Sequence, residues 1–169
     1  MDKVKVADAS GQYTRVRLLG PQAATTLQTL LDGTLAPADG AWLEQGSIIV
    51  LGQQDFDVPG YELLIPGGEQ EAVLGRLAAA GAVLLAGDET YTALRIELMR
   101  PLPGAELVGE YNPLEAGLAW ACAENKGCYT GQEIIARQVT YEKVTRLLVQ
   151  LQSEVPLPPG APLHADGRT

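Results

Sequence analysis

Cysteine and histidine are scarce in this chain of 169 residues, which carries only Cys122, Cys128 and a single histidine. Two cysteines cannot build a disulfide framework, and one histidine leaves an ordinary zinc site short of ligands. A reducing compartment suits such a chain. Positive charge is scarce too: 12 Lys and Arg stand against 21 Asp and Glu, for a formal charge of −9. The basic residues Arg95, Arg100, Lys126, Arg137, Lys143 and Arg146 are scattered along the sequence. A surface of this kind repels phosphate backbones and anionic headgroups, which disfavours direct nucleic-acid binding. Long apolar runs are missing, with no stretch near the ~18 residues that a bilayer span needs. Met1-Asp2-Lys3-Val4 shows no charged segment followed by an apolar one, so the expectation is a cytoplasmic protein without membrane contact. What the chain does have is 46% apolar residues, enough for a real core.

Thr14 to Leu19 alternates Val16 and Leu18 with Arg15 and Arg17 and then meets Gly20-Pro21, the pattern of a strand closed by a turn. From Gln22 to Leu31, Ala23, Leu27, Leu30 and Leu31 share one helical face. Gly33 to Gly46 reads as loop. Ile48 to Leu51 and Tyr61 to Ile65 read as an antiparallel pair joined by the longer Gln53–Pro59 connection. Glu69 to Ala80 is a helix with acidic residues in its first turn and Gly81 at its C-terminal cap. Ala82 to Leu85 is predicted as a further strand, and Asp88 as the cap of a helix running through Met99 to the prolines at 101 and 103. Leu114 to Ala123 is apolar enough to be buried. Strands and helices do not alternate regularly, so the fold class expected is α+β, with a mainly antiparallel sheet and packed helices. Residues 1–150 are taken as one domain, and the proline-rich 151–169 as a linker or the start of another module.

The most informative stretch is Lys126-Gly127-Cys128-Tyr129-Thr130-Gly131-Gln132-Glu133. Thr130 followed by Glu133 ahead of Ile134 and Ile135 is a capping-box pattern. It sets Cys128 just upstream of a helix N-terminus, where the macrodipole and the charge of Lys126 both favour a thiolate. The competing reading makes Cys128 a small buried side chain and the T-x-x-E a plain helix cap. Cys122, among Ala121, Ala123 and Trp120, reads as core filler.

This octapeptide, continued by Ile134-Ile135-Ala136-Arg137, resembles the signature of the YgfZ family, folate-binding relatives of the glycine-cleavage aminomethyltransferase. Asp8-Ala9-Ser10, Leu19-Gly20-Pro21-Gln22, Gly60-Tyr61-Glu62-Leu63, Leu94-Arg95-Ile96-Glu97 and Asn112-Pro113-Leu114-Glu115-Ala116-Gly117 resemble further landmarks, in family order. The resemblance implies the second half of the aminomethyltransferase folate-binding domain, with tetrahydrofolate as cofactor. Glu62 is similar to the carboxylate that pairs with the pterin, and Arg95 to an arginine facing the folate cavity. Tyr129 joins these two as a folate contact, while Cys128 and Lys126 are the candidates for chemistry. The first half of the folate domain has no counterpart ahead of Val4, and a C-terminal barrel barely begins after Gly160, so an incomplete pocket is expected.

The implied function is that of a folate-linked accessory factor that supports iron–sulfur client proteins, and through them tRNA modification. One thiolate cannot hold a cluster for which four ligands are usual. The alternatives are a tetrahydrofolate-dependent aminomethyltransferase of the glycine-cleavage type, or a non-catalytic interaction remnant of that fold. In the remnant, self-association into a homo-oligomer would cover an open sheet edge.

Overall fold

A computed structural model of the chain describes residues 3–53, 58–85, 88–123, 126–141, 143–158 and 160–163. It divides into two compact units, Met1–Leu94 and Arg95–Thr169.

The first unit contains the sheet. Strands β1 (Tyr13–Leu19), β2 (Trp42–Gln45), β3 (Ile48–Gly52) and β4 (Gly60–Pro66) are ordered β1-β4-β3-β2, and every neighbouring pair is antiparallel. Helices α1 (Ala23–Leu30) and α2 (Gln70–Ala79) pack on it. The face predicted for α1 is the buried one: Ala23, Leu27, Leu30 and Leu31 meet Val50, Leu63 and Ile65 of the sheet and Val73 and Leu77 of α2 in one cluster. Period-two alternation does the rest. In β4, Leu63 and Ile65 point into the core while Glu62 and Leu64 are only partly buried. In β1, Val16 and Leu18 pack against the cluster. The fold is α+β with an antiparallel sheet, as its sequence indicates.

Two expectations about the sheet fail together. Ala82 to Leu85 is not a strand: Val83, Leu84 and Leu85 are exposed, and the segment joins no strand ladder among the described residues. The fourth strand is instead β2, inside the stretch read as loop. It forms because Gly46-Ser47 closes a two-residue hairpin with Gln45 opposite Ile48, and Gly46 supplies the positive φ (62°) that such turns need. Gly81 caps α2 as expected, with φ 97°.

Helix α3 (Asp88–Glu97) begins at the residue predicted to cap it, although the Asp88 side chain lies outside the described ones. The helix is followed by Met99 at φ 52°. Part of the Gln53–Pro59 connection also lies outside the described residues.

The second unit has little regular structure. Among the described residues it holds the end of α3, a tight turn over residues 113–117, the short 3₁₀ turn Ala119–Ala121, helix α4 (Gln132–Thr140) and, over 143–158 and 160–163, chain without helix or strand. The burial expected from Leu114 to Ala123 is confined to its beginning. Leu114, Glu115 and Ala116 are buried, whereas Trp120 is 60% exposed because the 3₁₀ turn presents it to solvent. Among the described residues no helix is long and apolar enough to cross a membrane.

Candidate functional site

Glu62 stands on β4, directly across from Arg17 on β1. The register brings the two onto the same face, and the Arg17 guanidinium donates to Glu62 Oε1 through both Nε (3.1 Å) and Nη2. Arg17 Nη1 also donates to the Tyr91 hydroxyl on α3 at 3.2 Å. A half-buried cross-strand pair thus fixes the Glu62 carboxylate.

Arg95 belongs to the second unit and is 9% exposed. Its Nη1 donates to Glu106 Oε2 at 3.0 Å and to the Arg100 carbonyl at 3.4 Å, while its buried Nε has no hydrogen-bond partner among the described residues. Burial pushes the Glu106 carboxyl up, but the Leu102 backbone N–H and the Arg95 guanidinium outweigh it and hold Glu106 below its ordinary value. Glu62 and Arg95, each assigned to folate by resemblance, therefore each hold a protein partner of their own.

In the cysteine segment the predicted capping box does not form. Gly131, with φ 87°, occupies the N-cap position of α4, which starts at Gln132 and has no side-chain cap. Thr130 lies one residue too early, and Glu133 turns along the helix to pair with Arg137 at 2.5 Å. Gln132 reaches back instead, its Oε1 accepting the Tyr129 N–H at 3.4 Å. Cys128 is exposed, which removes the reading of it as a buried side chain. The Lys126 ammonium lies 4.7 Å from the centre of the Tyr129 ring, a cation–π contact, and the Tyr129 hydroxyl donates to the Ala123 carbonyl at 3.5 Å.

A cleft of about 480 Å³ opens between this segment and the turn that begins at Asn112. Tyr129, Lys126 and Thr130 line one side, with Asn112, Leu118 and Cys122 on the other. Cys122 is partly buried, not core filler, and its thiol donates to the Leu118 carbonyl at 3.5 Å.

A capping box does form, at Asn112-Pro113-Leu114-Glu115. Asn112 Oδ1 accepts the N–H groups of Leu114 and Glu115 (2.9 and 3.1 Å), and Glu115 Oε2 accepts the Asn112 N–H at 3.0 Å. Arg146, thirty-one residues on, donates to both Glu115 oxygens at 2.9 and 3.2 Å and lies over the Tyr111 ring. The Asn112 N–H, the Arg146 hydrogen bonds and the Arg146 charge hold the Glu115 carboxyl below its ordinary value against its burial. The N-x-x-E spacing of this group is the same sequence signal as the T-x-x-E of residues 130–133. Among the described residues no three His, Cys, Asp or Glu side chains gather as a metal site would require.

A family described as the GCVT N-terminal domain matches residues 1–126, three quarters of the chain. The chain belongs to this family. Similar proteins include an Arabidopsis thaliana protein named as a proposed chloroplastic transferase, 34% identical over 99% of this chain. The aminomethyltransferases of Koribacter versatilis (30% identical over 89% of the chain) and Geobacillus kaustophilus (32% over 80%) are similar as well. The matched regions are 40%, 42% and 40% of those proteins, so the chain spans about two fifths of the length of these GCVT relatives.

Proposed function

We propose that this GCVT-family chain is a tetrahydrofolate-dependent accessory factor of the YgfZ kind, supporting iron–sulfur client proteins and thereby tRNA modification, with Cys128 as its functional thiol. The octapeptide from Lys126 to Glu133 carries this reading. Its cysteine stands exposed ahead of α4, and Lys126 rests on Tyr129 beside it. One thiolate leaves a cluster short of ligands, so Cys128 would act together with a client or a small thiol.

The residues present suit a folate. A carboxylate has about four lone-pair sites, and Arg17 occupies Glu62 at Oε1 alone, which leaves capacity for an aminopyrimidine edge. The partnerless Nε of Arg95 is a buried donor that a ligand oxygen would satisfy. Glu62 in the first unit and, separately, Arg95 and Tyr129 in the second are the side chains we assign to tetrahydrofolate, which supplies a carrier for one-carbon units when bound.

A second reading, aminomethyl transfer to tetrahydrofolate, draws on the relatives that carry the aminomethyltransferase name. Calorimetric titration with tetrahydrofolate tests what the two share. We expect binding that weakens about tenfold or more when Glu62→Ala and Arg95→Ala are combined. Affinity unchanged in that variant would discard both assignments. An assay of aminomethyl transfer then separates the readings, since robust turnover by the chain would replace the accessory role with the enzymatic one.

A further inference from the structure

Of the residues assigned to folate, Tyr129 lines the 480 Å³ cleft of the second unit, whereas Glu62, Arg95 and the thiol-bearing Cys128 do not, so the folate reading leaves most of that cleft without a role. Its volume lies in the range of small-molecule sites. The wall is largely apolar, with Pro113, Leu118, Ala121, Ile134 and Ile135 contributing, and the Tyr129 ring gives it a flat aromatic surface. Among the described residues no carboxylate lines it, in a chain with a formal charge of −9. Its cation is Lys126, whose ammonium sits over the Tyr129 ring and pairs with no carboxylate among the described residues. Asn112 and Thr130 add polar side chains at the same wall.

We propose that this cleft binds a small aromatic carboxylate, its ring against Tyr129 and the apolar wall and its single negative charge at Lys126. The aromatic body follows from the flat apolar surface, which gains by excluding water from a second ring. The anion follows from a lysine with no acidic counterpart among the described residues of the lining. One cation with neutral donors around it matches a monoanion, whereas a phosphate dianion would keep an uncompensated charge.

The two thiols provide the test, because Cys122 lines the cleft and Cys128 does not. Alkylation by iodoacetamide, followed for both by mass spectrometry, reads occupancy and control in one sample. With 2-naphthoate as probe, Cys122 should be shielded while Cys128 keeps its unliganded rate. Half-protection should need about fivefold less 2-naphthoate than uncharged 2-naphthamide, the scale of a partly exposed ion pair. Lys126→Gln, a change at an exposed side chain, should abolish that preference and leave protection by the amide intact. Glu62→Ala should leave naphthoate protection unchanged, which separates this proposal from the folate reading. Failure of naphthoate to slow Cys122, equal slowing of both thiols, loss of protection in Glu62→Ala, or a preference for the acid that survives Lys126→Gln would each overturn it.

Discussion

Among the described residues of the first unit, eleven buried apolar side chains meet between a four-stranded sheet and two helices. In the second, the buried apolar side chains among the described residues are Leu114, Ala116 and Ile135, and beside them Arg95 and Glu115 are buried as charged groups. The contrast is one of mechanism. Apolar burial is non-directional and scales with the area hidden from water, so the first unit is held wherever its pattern of hydrophobic residues is kept. The second is held at a few directional points, Arg95 with Glu106 and Arg146 with Glu115. Each of these depends on protonation state and on both partners being present. The unit that holds the Cys128 segment and the cleft is therefore the one whose stability should respond to pH and to single charged substitutions.

The largest test of the contrast is Leu63→Ala. Leu63 is completely buried in the middle of β4, and truncating it should cost about 3 kcal/mol through lost transfer energy and a residual cavity. Denaturant unfolding followed by circular dichroism measures this, and a loss under ~1 kcal/mol would mean that the sheet core does not carry the first unit.

Next in size is Glu115→Gln, which keeps the shape of the side chain and removes its charge. Amide hydrogen exchange should speed up over residues 110–118 and 144–150, the two segments that Glu115 and Arg146 join, and stay unchanged in β3 and β4. Uniform acceleration along the chain would show that the units do not differ in the way argued.

Acid provides a third test without mutation. Glu106 and Glu115 are both held below the ordinary carboxyl value of 4.5. A depressed folded value means that each contributes stability in full above the unfolded value and loses it as pH falls through the lower folded one. Below pH 4.5, exchange corrected for its intrinsic rate should therefore rise in 100–107 and 110–118 before it rises in the sheet. Among the described residues of the first unit the lowered carboxyl is Asp8, held by the Ser10 hydroxyl and backbone N–H ahead of β1 and outside the sheet. Loss of the sheet's protection at the same pH as that of the turn would remove the distinction.

The same contrast explains what could be read from the residues. The face of α1 and the alternation of β1, β3 and β4 are legible because an apolar core imposes a period on neighbouring residues. Strand β2 was missed because Trp42 and Glu44 are exposed and Leu43 and Gln45 only partly buried, which leaves a weak alternation. The legible signal there was Gly46-Ser47. Ala82 to Leu85 failed for the opposite reason, since an apolar run forms a strand only if a neighbour offers an edge. In the second unit the structure rests on partners far apart in sequence, Arg146 and Glu115 above all, and no local period announces them. The pairing of Arg17 with Glu62 is of this sort too, since it appears only once the β1–β4 register is known. The T-x-x-E box misled because capping needs the right backbone at the N-cap, a position that Gly131 takes in place of Thr130.

The smallest test compares two glycines in left-handed backbone, Gly46 in the β2–β3 hairpin (φ 62°) and Gly131 at the start of α4 (φ 87°). An added Cβ would meet nothing within 4 Å at either position, so alanine there costs backbone strain alone, about 1–2 kcal/mol. What differs is whether the chain can escape the cost. Gly46 joins two strands whose register is pinned through β3 to the core, with Val50 fully buried, so relaxing the turn would pull the ladder out of register. Gly131 precedes a nine-residue helix with no side-chain cap, whose single buried residue is Ile135, and its first turn can unwind locally. Gly46→Ala should thus lower the unfolding free energy of the first unit by nearly the full strain. Gly131→Ala should cost the second unit less and appear as faster amide exchange in residues 131–134. Equal losses of unfolding free energy, without local exchange at 131–134, would mean that α4 is as firmly tied to its unit as the hairpin is to the sheet.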